Sequence, residues 1–79
     1  MEKQLDFVAI DVETANSNED ICQIGICIVR NGEKQKPMSW LVQPPGNHYG
    51  QMQMNVHHIT PDKTKDASSF EEVWQEVSP

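Results

Sequence analysis

The sequence is short of the features that hold small proteins together. Only 37% of its 79 residues are hydrophobic and 6% are aromatic, and a chain of this length buries only about 60–65% of its unfolded surface. Two cysteines, Cys22 and Cys27, exclude a disulfide-dense scaffold. They sit five positions apart in one strand-like run, roughly 16 Å apart on opposite faces, and so cannot bridge each other. No structural metal cage makes up for the thin core. The expectation is an incomplete domain, or one completed by a partner. No apolar stretch is long enough for a signal peptide or a membrane span, so a reduced, cytoplasmic setting and no membrane partner are expected. Six basic residues face twelve acidic ones, a net charge of −6. That balance excludes a general basic surface for nucleic acid phosphates. It is compatible with a site for divalent cations, which needs clustered carboxylates and lets the bound ions supply the positive charge.

What is present reads as a small sheet followed by a helix. Leu5 to Val12 (LDFVAIDV) is an apolar, β-branched run of the kind a strand buried on both faces shows. Ile21 to Val29 (ICQIGICIV) alternates, with Cys22, Ile24, Ile26 and Ile28 on one face. The polar stretch Ala15 to Asp20 between them is a loop. Asn31-Gly32 predicts a hairpin into a third strand over Met38 to Val42, and Pro37 makes that strand an edge. Gln43 to Asn55 has two prolines, two glycines and no periodicity, and is read as a long functional loop. Ser69-Phe70-Glu71-Glu72 fits a capping box, after which Phe70, Val73, Trp74 and Val77 recur at helical spacing as a core stripe. Glu71, Glu72 and Glu76 then form a solvated face.

Chemistry is concentrated at one place. Asp11 and Glu13, one residue apart at the end of the first strand, leave the same face with α-carbons about 6.6 Å apart. That spacing lets two carboxylates converge on one metal or bridge two, the arrangement used in phosphodiester hydrolysis. The plain alternative is that both begin a solvated turn. The cysteines have no histidine at activating spacing and are read as packing residues; His48 and His58 are read as ordinary solvated residues.

The string FVAIDVETAN, QIG in the second strand, VHHIT and FEEVW together resemble the DEDD superfamily of 3′-to-5′ exonucleases. That group contains the proofreading epsilon subunit of bacterial DNA polymerase III and related ribonucleases. The resemblance spans essentially the whole chain. It implies an α/β, ribonuclease-H-like exonuclease fold, here as a three-stranded antiparallel meander, a long loop and the start of a helix, with residues 1–79 as the N-terminal portion of a single domain. It implies that Asp11 and Glu13 bind two divalent ions, Mg2+ or Mn2+, and that Thr14, Val56 and His57 contact the terminal nucleotide. His58 stands where the family usually has glycine, and Gln23 where it usually has an acid. The second-motif aspartate and the third motif, with its histidine base and final aspartate, come later in the family than this sequence reaches. The implied substrate is the 3′ end of single-stranded DNA or RNA, with a DNA polymerase as an implied partner. A parallel fourth strand covers the free edge of strand one in the family, so here self-association through that edge is expected. Two alternatives stand beside proofreading: an RNA-trimming exonuclease, which would differ in contacts to the 2′-hydroxyl, and a non-catalytic interaction module.

Overall fold

The structure of the chain is a computed structural model and describes residues 6–77. Strand β1, Phe7–Thr14, pairs antiparallel with β2, Ile21–Arg30. Asn31 and Gly32 both take positive φ, 53° and 77°, as a two-residue hairpin turn with the right-handed twist of its strands requires. The chain then returns along the other side of β2 as two short strands, β3, Glu33–Lys34, and β4, Met38–Leu41. The predicted third strand is present as β4, and β3 is a further short strand between it and the hairpin turn. Ile26 pairs with Met38 and Val29 with Lys34, so one extra residue is accommodated around Pro37, which has no N–H to give to the ladder.

The region read as one long loop is not structureless. A 3-10 turn, Pro45–Asn47, leads to helix α1, Gln51–His57, and to a single helical turn, α2, Pro61–Thr64. The sequence QMQMNVH hides α1 because its apolar residues fall at every second position and no buried stripe marks it. Its ends hold it instead. Gly50 is extended at its start, and His58 at its end takes the left-handed conformation, φ 61° and ψ 18°, that stops a helix. Helix α3, Phe70–Val77, begins as predicted. The Ser69 hydroxyl accepts from the Glu72 amide at 3.4 Å, and Glu72 Oε1 accepts from the Ser69 amide at 3.2 Å.

Two small cores follow from this arrangement. Ile24, Ile26, Val42 and Val73 are buried together, with Ile21, Ile28, Trp40 and Val77 packed against them. Ala15, Cys22 and Ile59 form the second, with Tyr49 against them. Helix α3 thus sits over β2 and β4, and Phe70 and Trp74 stack on each other at 6.0 Å but remain partly exposed rather than core. The expectation that strand one is buried on both faces is corrected. Phe7, Val8, Ile10 and Val12 are 49, 56, 54 and 41% exposed, because no described element covers β1. Among the described residues no helix is long and apolar enough to cross a membrane.

With so few buried side chains, each carries a large share of the stability. Ile24→Ala is expected to cost about 2–5 kcal/mol, much of the total available to a domain this small, whereas Met52→Ala, at a position 78% exposed, should stay within about 0.5 kcal/mol. Chemical denaturation of both variants checks the contrast.

Candidate active site at the end of strand β1

The end of β1 is shaped by an irregularity in its pairing. Glu13 lies opposite Gln23, but Thr14 lies opposite Ile21, so Cys22 is the extra residue of a bulge. Cys22 turns into the second core, where burial pushes its thiol up from its ordinary value and the Glu13 carboxylate adds to the rise. The thiol is therefore protonated near neutral pH. Its 3.9 Å contact with His57 Nε2 is packing and not an activated dyad.

Three consecutive residues after Glu13 tie this end to the following segment. Thr14's carbonyl accepts from His57 Nε2 at 2.8 Å. Ala15's carbonyl accepts from the Gly50 amide at 2.8 Å. Buried Asn16 donates to His48's carbonyl at 2.8 Å and to Asp20 Oδ2 at 3.1 Å, while its own oxygen takes the Asn18 amide. The partners assign the His57 tautomer. Nδ1 accepts from the Ile59 amide at 2.9 Å, so the proton is on Nε2 and points at Thr14. Behind this, the buried Thr64 hydroxyl donates to Asn47 Oδ1 at 2.8 Å, which leaves the Tyr49 hydroxyl to donate to Thr64 at 2.7 Å. Burial pushes the Tyr49 phenol up as well.

The result is a cleft of about 230 Å3 lined by Glu13, Thr14, Met52, Gln53, Val56 and His57. Four of the five predicted residues meet there. Asp11 does not line it; it stands two residues upstream on the same face, exposed, opposite Gly25. Met52 and Gln53 were missed, since nothing in a run read as loop puts them one turn from Val56. Both His57 nitrogens are occupied, which leaves only the carbon edge and the faces of the ring open to the cleft. His48 is exposed, as expected. A larger depression, about 470 Å3, lined by Glu19, Asp20 and Glu71 among others, includes none of the predicted residues.

Among the described residues the ion pair is Lys65–Asp62, so neither Asp11 nor Glu13 is paired with a base. The described residues also contain no group of three or more potential metal ligands. As hard oxygen donors on one strand face, Asp11 and Glu13 fit Mg2+ or Mn2+ as part of a ligand set and are too few to form a whole one.

The antiparallel sheet with α3 across it is the N-terminal part of the ribonuclease-H-like α/β exonuclease fold. Within that class, the exonuclease family profile (RNase_T) matches residues 8–78, and the chain belongs to this family, part of the DEDD superfamily. It is similar to exonuclease X solved with 5′-overhanging duplex DNA, at 29% identity and TM-score 0.83 over 91% of this chain and 43% of that one. Two further structures share the fold. One is a full-length 3′-exonuclease, at 17% identity and TM-score 0.78 over 96% of this chain and 28% of that one. The other is a 3′-exonuclease solved in 3′-end-specific recognition of histone mRNA stem-loop, at 17% and 0.77 over 98% and 39%. The chain spans less than half the length of each. No curated protein sequence matches it significantly.

The family's usual glycine now has a physical reason. The position of His58 is left-handed, where a Cβ costs about 1–2 kcal/mol. His58→Gly should therefore raise stability by about 1 kcal/mol in thermal melts, while His57→Ala, which strips partners from the Ile59 amide and the Thr14 carbonyl, should lower it by about 1–3 kcal/mol.

Proposed function

We propose that the chain is the N-terminal portion of a single exonuclease domain that removes nucleotides from a 3′ end, with Asp11 and Glu13 as metal ligands. The observation that carries this reading is the pair itself. Two carboxylates share one strand face beside a cleft, with no basic partner among the described residues to explain their placement. Left without a cation, such a pair brings only mutual repulsion. Divalent ions held there would activate a water and stabilise the leaving oxygen. In the same reading Thr14 and Val56 line the seat of the terminal nucleotide, and His57 holds the rim through Thr14 and presents its ring edge.

DNA is favoured as the substrate because the higher identity, 29%, is to an exonuclease solved with DNA, against 17% to one solved with histone mRNA. A proofreading role beside a DNA polymerase, as the resemblance implies, would be one setting for it. Two carboxylates make an incomplete ligand set, so the chain by itself is expected to bind ions weakly and to release no nucleotide.

Mn2+ titrated into the labelled chain should broaden amide signals around Asp11 and Glu13 first, and the Asp11→Ala/Glu13→Ala variant should lose that selectivity. Uniform broadening in the parent chain contradicts the metal assignment. A parallel binding assay with 3′-tailed DNA and RNA oligonucleotides checks the substrate class, and tighter binding of RNA would overturn the DNA reading; nucleotide release by the chain alone, abolished by Asp11→Ala, would show that two carboxylates suffice.

A further inference from the structure

The two walls of the cleft differ in what they offer a ligand. Glu13 and Thr14 come from β1; Met52, Gln53, Val56 and His57 come from α1, where Gln53, Val56 and His57 share a face at i, i+3 and i+4. On the α1 wall Met52 and Val56 are apolar, and both nitrogens of His57 are taken by Thr14 and Ile59. The half-buried carboxamide of Gln53 is left as the polar side-chain group this wall presents, with two donors and an acceptor in one plane. Its place is defined by Gly50, one turn earlier. A Cβ built on Gly50 would overlap Gln53 Oε1, so the carboxamide lies against the bare α-carbon of that glycine. The backbone at Gly50 is open to any residue, φ −97° and ψ 144°. The other atoms near such a Cβ, Gln53 Cδ at 3.5 Å and the Asn16 α-carbon at 3.6 Å, are at ordinary contact distance. What a side chain at position 50 would meet is thus the tip of Gln53, not the chain path. With Oε1 turned to Gly50, the amide N–H bonds remain to donate.

We infer that Gln53, seated over Gly50, is a specificity-determining residue of the cleft and donates a hydrogen bond to an acceptor on the edge of the terminal base. The inference rests on the reading of this cleft as the seat of the terminal nucleotide. In that reading the phosphate goes to ions at the carboxylates of β1, so the base falls toward the α1 wall, where Val56 supplies apolar contact and Gln53 a directional one. The natural bases carry acceptors on their edges, so one donor serves them all. Gln53 therefore selects for an end that bears a hydrogen-bonding base and against one whose ring is nonpolar; it does not choose among the four.

The probes are two short DNA strands, one ending in thymidine and one in its difluorotoluene isostere, which keeps the shape of the base without its strong acceptors. Each is titrated into the labelled chain with Mg2+ present, and affinity is read from the amide signals of Thr14 and Val56. The thymidine strand should bind roughly 2- to 10-fold more tightly, the worth of one net hydrogen bond. Gln53→Met, which keeps the length of the side chain and removes its amide, should bring the two strands together. Gly50→Ala should do the same, because it keeps the amide and drives its tip from its seat. Equal affinities in the parent chain, or a preference that persists in Gln53→Met, overturn the inference, and persistence in Gly50→Ala overturns the part given to Gly50. The parent-chain comparison decides even where a variant fails to fold. Signals of Thr14 and Val56 that move with neither strand overturn the reading of the cleft itself, and this inference falls with it.

Discussion

The hydrogen bond from Nε2–H of His57 to the carbonyl oxygen of Thr14 ties strand β1 to the segment that builds the cleft beside it. It is set by a second, in which the Ile59 amide occupies Nδ1 and fixes the tautomer. Helix α1 buries no residue of its own, so packing alone does not place it. Where α1 lies, and with it Met52, Gln53 and Val56, depends on this ring and on the neighbouring contacts of Ala15 and Asn16. The end of β1 is correspondingly the best-anchored part of that strand: its residues are exposed through Val12, half-buried at Glu13 and Thr14, and the chain is fully buried at Ala15.

The pleat of β1 then divides two tasks. One face carries Asp11 and Glu13 toward the cleft end; the other carries Val8, Ile10 and Val12 with no described cover. A strand exposed on both sides contributes little to stability by burial, so β2 does most of that work, with both its edges paired and Ile24 and Ile26 in the main core. In the proposed reading the acidic face is the one that meets the metal ions.

Much of the architecture was legible from local chemistry. Alternation in ICQIGICIV located β2 and its inward residues, Asn31-Gly32 located the hairpin, Pro37 located the weak edge, and Ser69 with Glu72 located the start of α3. What was not legible depended on distant partners. Helix α1 has no apolar stripe and exists because Gly50 reaches Ala15, His57 reaches Thr14 and His58 turns left-handed. Burial of β1 was overestimated because an apolar run reports what a strand is suited to and not what covers it. Of the site, Glu13, Thr14, Val56 and His57 could be named from the resemblance and do line one cleft, whereas Asn16, Met52 and Gln53 carried no signal of their own.

The proposed chemistry needs Asp11 and Glu13 to act together toward a cation. Its most direct test is anomalous diffraction from crystals of the protein grown with Mn2+. The predicted result is an anomalous peak within about 2.3 Å of a carboxylate oxygen from each residue, near the coordination distance of a small hard cation. A peak elsewhere, or two carboxylates pointing apart with no peak between them, contradicts it.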